Sequence, residues 1–378
     1  MRVLHVIDTL GVGGAEQMLV NLLPALKQQG HDVSVAVLRP PFTLREALED
    51  QGVPVRRLEH QSQWSLLSGA RAVARAGTDA RADIIHAHLL FPGVYVGLAR
   101  MLRMTRARTC ITYHNLAYAP GCNRPGPGLT ARRTLNALTS RLGMDGRTAV
   151  SNAVASHYQG TLHLGPITVI PNPIPVSGID KTVAPATQTA ANANREIRIL
   201  VPGRLVREKG HAILITALAQ CIREGLSATL VIAGDGPLRA DIERQIKAAG
   251  LAARTRFTGT LPHAALLAEM VAAEIVVVPS LFEGFGMTAA EAMALRRCVI
   301  AARAGGLTDV IDHDVNGLLF ATGDAGDLAK VLARAASDAA LRQRLGEAGR
   351  SKVEAQFDVS HVAKRLSSFY ADLLRDAA

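Results

Sequence analysis

The chain has 378 residues, of which 48% are hydrophobic and 20% are charged. This composition excludes a disordered or collagen-like chain, and the length favours two domains. The formal charge of +10 is uneven, because residues 1–175 carry 18 Lys or Arg and 10 Asp or Glu, a surplus of 8, against a surplus of 2 in the remainder. A basic first half indicates either an anionic partner or a solubility charge, and both interpretations stay open.

The cysteines and the N-terminus predict a protein of the reducing cytosol. The four cysteines form no CxxC pair, and no histidine spacing indicates zinc. The first 16 residues are unlike a signal peptide, because Asp8 interrupts their apolar run. The longest apolar stretch, residues 89–99, is shorter than the about 18 residues that a bilayer span needs. We therefore expect a cytoplasmic protein, and peripheral attachment to the cytoplasmic face of the inner membrane stays open.

Predicted strands and helices alternate along the chain. A strand at 3–7 leads through a glycine loop into a helix at 15–29 and a second strand at 33–38, which makes a βαβ unit. Further strands of the first half are predicted at residues 84–88, 109–113, 148–151 and 168–170. The second half opens with the same strand–helix–strand order, at residues 197–201, 211–223 and 228–232. Its further strands are predicted at residues 256–259, 275–279, 299–302 and 317–320.

This alternation indicates parallel sheets covered by helices. We expect an α/β protein with two Rossmann-like domains facing each other across a deep cleft, with sites at the carboxyl ends of the strands. The N-terminal domain is predicted at residues 1–175 and the second domain at 196–358. Residues 176–195, rich in Thr, Ala and Asn, are predicted to be a linker. Residues 359–378 are predicted to form a C-terminal helix that packs back on the N-terminal domain.

The strongest chemical signal is the segment at residues 279–292, which follows a predicted strand. Its glycines predict a turn and a helix that begins near Gly286, and a helix N-terminus suits a phosphate. Glu291 lies in a helix with almost no polar face, so we expect it to be buried and to need donors such as two ribose hydroxyls. Glu283 is placed to accept a bond from a sugar hydroxyl. The plain alternative is one core glutamate and one solvated glutamate.

Two cations, Arg204 and Lys209, lie on the loop after the strand that opens the second half. A leaving nucleoside diphosphate accumulates negative charge, which fixed cations stabilise. Arginine grips a phosphate with two donors, whereas lysine acts as a point charge. Two solvated loop cations are the alternative interpretation.

Together these segments resemble the signature of retaining glycosyltransferase family 4, the glycosyl transferases group 1, whose members have the GT-B fold. The signature is Glu283 and Glu291 flanking Gly284-Phe285-Gly286. The resemblance covers most of the chain through further matching segments: Gly13-Gly14-Ala15-Glu16, Gly203-Arg204-Leu205-Val206-Arg207-Glu208-Lys209-Gly210, Ala233-Gly234-Asp235-Gly236-Pro237, Ala304-Gly305-Gly306 and Asn316-Gly317. Asp309 departs from the family, which usually has Glu there.

The resemblance implies a retaining hexosyltransferase that requires no metal or other cofactor. It implies catalytic roles for His114, Glu283, Arg204 and Lys209. It implies binding of the nucleotide-sugar by Gly13, Gly14, Arg204, Lys209, Gly284, Phe285, Gly286, Met287, Thr288 and Glu291. His114 ends a predicted strand, and the family pattern implies that it contacts the transferred sugar.

Two further histidines, His86 and His88, alternate on one predicted strand and therefore share a face. No third ligand has convincing spacing, so a structural role is favoured over a metal site. Asp312 and Asp314 resemble an Asp-x-Asp metal motif, but they fall in a turn before Asn316-Gly317, where aspartate is ordinary turn chemistry.

The predicted donor is a nucleotide-sugar, taken to be a UDP-sugar from family frequency and bound by the second half. The predicted acceptor is a lipid-linked or other cell-surface glycan of lipopolysaccharide or polysaccharide biosynthesis, bound by the first half. No side chain stands out as a nucleophile, so a front-face displacement is expected in which the leaving diphosphate takes the acceptor proton. Four arginines near the end of one helix suit an anionic membrane surface, or alternatively cap that helix: Arg100, Arg103, Arg106 and Arg108.

Two other enzymes stay open, a nucleotide-sugar 2-epimerase of similar fold and a GDP-mannose-dependent mannosyltransferase. No aromatic-rich strand, zinc pattern or basic recognition helix is evident, so no nucleic-acid partner is expected. An inactive sugar-nucleotide binder is disfavoured, because both glutamates and both loop cations are present.

Overall fold

The structure is a computed structural model that describes residues 1–59, 62, 64–119, 126–183 and 196–375. The chain divides into two compact units, of which unit 1 comprises Met1–Pro173 with Val359–Ala378 and unit 2 comprises Ile174–Asp358. Each unit has one parallel β-sheet covered by helices. The predicted α/β class with two Rossmann-like domains is therefore confirmed.

Unit 1 is built on seven parallel strands. These are β1 Arg2–Ile7, β2 Asp32–Val37, β3 Val55–Arg57, β4 Ile84–His88, β5 Arg108–Tyr113, β6 Gly146–Ala149 and β7 Thr168–Val169. The helices between them are α1 Gly14–Gln28, α2 Arg45–Glu49, α3 Leu66–Asp79, α4 Leu90–Met101, α5 Pro127–Leu142 and α6 Asn152–Leu162. The strand order β3-β2-β1-β4-β5-β6-β7 reverses at the β1/β4 pair, which is the switch point where ligands bind in such sheets.

Unit 2 repeats this design with six parallel strands. These are β8 Ile197–Pro202, β9 Ala228–Ala233, β10 Thr255–Gly259, β11 Ile275–Val278, β12 Cys298–Ala302 and β13 Leu318–Phe320. Its helices are α7 Val176–Val183, α8 His211–Arg223, α9 Arg239–Ala248, α10 His263–Ala272, α11 Met287–Ala294, α12 Leu307–Val310, α13 Ala325–Ser337 and α14 Ala339–Lys352. The strand order is β10-β9-β8-β11-β12-β13.

The predicted linker at residues 176–195 is wrong in its first part, which forms helix α7. Its Val176 and Ile179 are buried in unit 2. Asp180 forms two hydrogen bonds of 2.8 and 2.7 Å with the buried guanidinium of Arg350. These contacts give a short polar segment enough partners to stay helical. Residues 184–195 lie outside the described residues.

The last described helix, α15 Val359–Arg375, belongs to unit 1 and packs against α1. Its apolar stripe is buried in the same core as the α1 leucines, and consists of Val362, Ala363, Leu366, Tyr370 and Leu373. The spacing of these residues at helical period puts them all on one face. The helix therefore completes the hydrophobic core of unit 1 from the far end of the sequence.

A chain of hydrogen bonds links α15 to the middle of the unit 1 sheet. The Tyr370 hydroxyl is 2.6 Å from His86 Nδ1, and His86 Nε2 is 2.7 Å from Thr112 Oγ1. Thr112 Oγ1 is 2.6 Å from Thr148 Oγ1, which donates to the Ile111 carbonyl at 3.3 Å. Because a carbonyl only accepts, the chain runs from Tyr370 to Ile111, and His86 carries its proton on Nε2.

The sequence predicted free cysteines and no membrane span, and the described residues can be compared with both expectations. Cys110, Cys221 and Cys298 are buried free thiols, and Cys122 lies outside the described residues. Among the described helices, none combines the length and the apolarity that a membrane crossing requires.

The Tyr370 hydroxyl should stabilise unit 1 measurably. Tyr370→Phe leaves His86 Nδ1 as a buried acceptor without a donor, and we expect a loss of about 1–3 kcal/mol in the free energy of unfolding. Urea unfolding followed by circular dichroism measures it. Ser368→Ala on the exposed side of α15 is the control, with an expected change within about 0.5 kcal/mol. Equal stability of the two variants would contradict the hydrogen-bond chain.

Candidate functional site

Four loops of unit 2 meet at one edge of its sheet. They follow β9, β8, β11 and β12, which are neighbours in the strand order, and parallel strands all end at the same edge. The Gly306 amide donates to the Glu283 carbonyl at 3.0 Å, which joins the loops after β11 and β12. Gly286 has φ of +106°, and a Cβ there would lie 2.7 Å from Leu307 Cδ2. A side chain at Gly286 would therefore force these loops apart.

Lys209 and Glu283, two predicted catalytic residues, form an ion pair in this group of loops. Lys209 Nζ is 2.7 Å from Glu283 Oε2, and Ser280 Oγ donates to the same oxygen at 3.3 Å. Both charged side chains are partly buried. Lysine has three N–H donors, so the pair leaves two of them for a further acceptor such as a phosphate.

Glu291 is buried, as the apolar helix around it predicted, with 4% of its surface exposed. Its Oε1 lies 2.9 Å from His263 Nε2, at the start of α10. The hydrogen bond to Glu291 raises the pKa of His263, with desolvation acting against it. Sequence reasoning missed this partner, because His263 lies 28 residues before Glu291, at the start of a helix that carries no recognisable motif.

A second missed residue, His211, follows Lys209-Gly210 at the start of α8. Its side chain is buried, and neither ring nitrogen has a hydrogen-bond partner among the described residues. Burial, and then the charge of Lys209, lower the pKa of His211 to about 4. The histidine is therefore neutral at physiological pH and adds no cation to these loops.

The remaining predicted donor-binding residues of unit 2 differ in exposure. Phe285 is buried and packs edge-on against Phe357 at 5.3 Å between ring centroids, so its side chain belongs to the core. Gly284, Gly286, Met287 and Thr288 lie in the turn and first turn of α11. Arg204 is exposed and forms no ion pair with any other residue that the structure describes.

In unit 1, the predicted glycine loop joins β1 to α1. Gly13 is the N-cap of α1, and a Cβ at Gly14 would meet only open space. Glu16, in the first turn, accepts a hydrogen bond of 2.9 Å from Thr9. The loop thus lies at the switch-point edge of the sheet, where Gly14 leaves open space, whereas the Glu16 carboxylate fills the space beside Gly13.

His114 follows β5 at that same edge and lies in a cluster of histidines. His114 Nε2 is 3.0 Å from His88 Nδ1, and His88 Nε2 is 3.0 Å from His5 Nδ1. Burial lowers the pKa of His5 and of His114 to about 3, and that of His88 well below its usual value. Sequence reasoning missed His5, which lies on β1 beside β4.

His5, His86 and His88 bring their ring nitrogens within 4.8 Å of one another, so the structure supplies the third histidine that the spacing did not. Both nitrogens of His86 are already hydrogen-bonded, to Tyr370 and Thr112. A metal ion would have to break one of these bonds, so the arrangement favours the structural role predicted for His86.

Two sets of predicted surface charges are engaged within the protein. Arg100 and Arg108 both form ion pairs with Asp145, at 3.1 and 2.9 Å, which removes them from the set available to a membrane. Arg103 and Arg106 are exposed and form no ion pair with the rest of the described chain.

Asp312 and Asp314, the discounted metal motif, are ion-paired with basic side chains. Asp312 pairs with Lys352 at 2.9 Å. Asp314 pairs with Arg334 at 2.9 Å and with Arg344 at 3.2 Å. These contacts account for both carboxylates within unit 2.

The two Rossmann-like units define an α/β protein of the GT-B class. A family model described as Glycosyltransferase Family 4 matches residues 12–177, and one described as Glycosyl transferases group 1 matches residues 186–352. The chain belongs to this family of glycosyltransferases, as its motifs predicted.

Curated relatives agree with this assignment. The chain is 28% identical over 390 residues to the glycogen synthase of Mycobacterium tuberculosis, covering 95% of this chain and 91% of that one. It is 36% identical over 172 residues to the 2-deoxystreptamine glucosyltransferase of Streptomyces kanamyceticus, covering 46% of this chain and 44% of the relative. The match to the latter thus spans less than half of that relative's length.

Solved structures share the fold over the whole chain. The Anabaena Alr3699/HepE protein in complex with UDP superposes with a TM-score of 0.81 at 22% identity, covering 98% of this chain and 100% of that one. The sucrose-phosphate synthase of Thermosynechococcus elongatus superposes with a TM-score of 0.79 at 21% identity, covering 100% of both chains. At this identity the likeness concerns the fold.

The contact between His263 and Glu291 can be tested by titration. The pKa of His263 should lie above 6.5 in the wild type and fall in Glu291→Gln, as read from its ring signals by NMR. A raised pKa stabilises the folded state below about pH 6.5, and this stabilisation is lost as pH rises through the raised pKa. The thermal stability of Glu291→Gln should accordingly fall furthest below that of the wild type in mild acid. An unchanged His263 pKa would contradict the contact.

Proposed function

We propose that the chain is a retaining, metal-independent glycosyltransferase that transfers a sugar from a UDP-sugar to a lipid-linked or other cell-surface glycan. Family membership supports sugar transfer. The choice of UDP is supported by the Anabaena protein of similar fold, which was crystallised with UDP and with UDP-glucose. We further propose that unit 2 binds the donor and unit 1 the acceptor.

The observation that carries the proposal is the buried carboxylate of Glu291. His263 engages one of its oxygens, while the other makes no hydrogen bond within the described parts of the chain. Because only 5% of the Glu291 side chain is exposed, water is a limited source of donors, and two vicinal ribose hydroxyls would supply donors to its second oxygen. The glutamate lies in α11, directly after the glycine turn that closes the loop edge of unit 2.

The donor diphosphate would bind close to that ribose. Lys209 retains two N–H donors beside its bond to Glu283, and Arg204 offers a guanidinium with no competing carboxylate among the described residues. The amides at the start of α11 add the positive end of a helix dipole. These groups would stabilise the charge that develops on the diphosphate as the glycosidic bond breaks, without a metal ion.

The leaving diphosphate is the proposed base for the acceptor hydroxyl. Glu283 is held by Lys209 and Ser280, which suits it to bind a sugar hydroxyl. His114, neutral because its pKa is lowered to about 3, is the proposed contact of the transferred sugar. Its neutral ring can bind a hydroxyl or phosphate oxygen, but it supplies no permanent charge.

The basic surplus of unit 1 supports an anionic acceptor. A cavity of about 810 Å³ beside β3 and α3 is lined by Arg56, Arg57, Arg71 and Arg75, together with the acidic Glu59 and Asp79. Asp79 pairs with Arg56 at 3.3 Å. The cationic side chains outnumber the acidic ones, so the cavity favours a ligand that carries phosphate.

The helix layer of unit 1 supports a peripheral membrane contact at the cytoplasmic face. Its helices α3, α4 and α5 pack side by side. Large apolar side chains are exposed on or beside them, namely Trp64, Leu67, Leu102, Leu138 and Leu142. Arg103 and Arg106 follow α4. Exposed apolar groups next to arginines are typical of surfaces that bind anionic lipid.

A panel of UDP-, GDP-, ADP- and CMP-sugars in the presence of EDTA tests the proposed donor. Only the UDP-sugars should raise the melting temperature, and slow hydrolysis of the bound donor should persist in the chelator. Stabilisation by a GDP-sugar alone would contradict the proposed UDP-sugar donor. Activity that returns only on adding Mn²⁺ or Mg²⁺ would contradict the metal-independent mechanism. Turnover to an epimeric nucleotide-sugar without any acceptor would indicate the epimerase.

Glu291→Ala should weaken UDP binding strongly. Loss of two charge-assisted bonds at about 1.5–3 kcal/mol each corresponds to at least a 100-fold rise in Kd, measured by calorimetry. Glu224→Ala, at the exposed end of α8, is the matched control and should bind UDP as the wild type does. Circular dichroism checks that both variants are folded. Wild-type affinity for UDP in a folded Glu291→Ala protein would contradict the assignment of Glu291 to the ribose of the donor.

Anionic vesicles should bind the protein reversibly. Each exposed arginine near the surface contributes about 1 kcal/mol, so co-sedimentation with anionic vesicles should be modest and should disappear at high salt. The double variant Arg103→Glu/Arg106→Glu should lose most of this binding, whereas Arg244→Glu in unit 2 should not. Donor hydrolysis in solution should persist in both. Binding to neutral vesicles as strong as binding to anionic ones would contradict the electrostatic membrane contact. The positive charge of the N-terminal half would then be interpreted as a solubility charge.

A further inference from the structure

Three histidines from neighbouring strands form a continuous array in unit 1. His5 lies on β1, His88 ends β4 and His114 follows β5. The array contains two N···N contacts, each of 3.0 Å, with His88 in the middle using both of its nitrogens. His5 and His88 are buried. The two outer nitrogens, His5 Nε2 and His114 Nδ1, are also buried and have no partner in the described parts of the chain.

Each ring in this array carries one proton at neutral pH, because burial lowers the pKa of all three histidines. A neutral imidazole has one donor nitrogen and one acceptor nitrogen. Both contacts can be hydrogen bonds only if all three protons point the same way along the array. The array therefore has two arrangements: every proton on Nδ1, or every proton on Nε2.

The two arrangements differ in what they leave at the buried ends. With every proton on Nε2, an unpaired N–H lies at His5, the more deeply buried end. With every proton on Nδ1, His5 keeps only a bare lone pair and His114 keeps the N–H. Each arrangement leaves one N–H without a partner in the described parts of the chain, so the position of that N–H decides between them. His5 is fully buried, whereas His114 is a partly exposed residue at the edge of the sheet where ligands bind, and an unpaired N–H at that end can gain an acceptor from a ligand. This difference favours the second arrangement.

The neighbouring His86 shows that the protein sets tautomers in this way. Its hydrogen-bond chain ends on the Ile111 carbonyl, which obliges His86 to carry its proton on Nε2. No carbonyl terminates the array of His5, His88 and His114 within the described residues, so its direction is decided by its ends. The two sets, side by side in one sheet, are expected to hold opposite tautomers.

We infer that His5 and His88 are positioning residues that hold His114 in the tautomer with its proton on Nδ1. His114 then presents an N–H donor to an oxygen acceptor of the substrate, either a phosphate oxygen or a sugar hydroxyl oxygen. This step rests on the proposed function, in which His114 contacts the sugar nucleotide. The array transfers no proton and takes no part in bond making or breaking. It acts only by fixing which nitrogen of His114 donates a hydrogen bond.

The tautomers can be read directly from ¹⁵N-labelled histidine by long-range ¹H–¹⁵N NMR on the whole ligand-free protein. Protonated Nδ1 and bare Nε2 are expected at His5, His88 and His114, and the reverse at His86. Protonated Nε2 at His88 or His114 would overturn the inference. This measurement needs neither a variant nor activity, so it stands apart from any failure of the proposed function.

A substitution two hydrogen bonds away from His114 tests the positioning role. In His5→Phe, His88 loses the donor to its Nε2, and His114 should lose its uniform Nδ1–H state and show both tautomers. Tyr370→Phe is the matched control, because it disturbs His86 in the same cluster and should leave the array unchanged. An unaltered His114 tautomer in a folded His5→Phe protein would overturn the role of His5.

UDP and UDP-glucose, added in turn to the wild type, identify the acceptor oxygen. A shift of the His114 Nδ1–H signal with UDP alone assigns a phosphate oxygen, and a shift that needs the sugar assigns a hydroxyl oxygen. Calorimetry establishes whether each ligand binds. Bound UDP-glucose that leaves the His114 signal unmoved would overturn the inference and the sugar contact proposed for His114, while the proposed transfer from a UDP-sugar stands. Absence of binding would instead count against the proposed function.

Discussion

Parallel strand pairing is the constraint on which the rest of the structure depends. Because every strand in a unit runs the same way, every loop after a strand emerges at one edge of the sheet. Lys209, Glu283 and the glycine turn before α11 are far apart in sequence, but β8 and β11 are adjacent and bring them together. The same geometry in unit 1 brings together His5, His88 and His114, through β1, β4 and β5.

Sequence reasoning succeeded where a local pattern has one physical meaning. Buried apolar runs predicted the strands of both sheets to within about two residues at their ends, as expected for strands buried on both faces. The edge strand β3 was missed, because Val55–Arg57 is short and carries two arginines. The helix at Val176–Val183 was predicted to be linker, because its partners lie far along the chain. It packs against α10, and its Asp180 pairs with Arg350, 170 residues later.

The candidate site could be predicted as a set of residue types, but its partnerships could not. The sequence indicated that Glu291 is buried, yet nothing near it in the chain pointed to His263. It likewise assigned Lys209 to a phosphate, whereas the fold gives Lys209 a carboxylate partner first. Arg100 looked available for a membrane until the fold brought Asp145 to it. Ion pairs and buried hydrogen bonds form between residues that are far apart in sequence. Which of these residues become neighbours is known only once the topology of the fold is known.

The two units accommodate buried polar side chains in different ways. In unit 2 the Lys209–Glu283 pair lies at the loop edge, where partial exposure limits the cost of removing charge from water. In unit 1 the polar groups lie inside the sheet, where charge would be far more costly, and the protein uses neutral imidazoles and hydroxyls there. Neutral groups can satisfy one another only when their protons point in consistent directions. The interior of unit 1 therefore specifies the direction of hydrogen bonds, whereas the loop edge of unit 2 specifies the placement of charge.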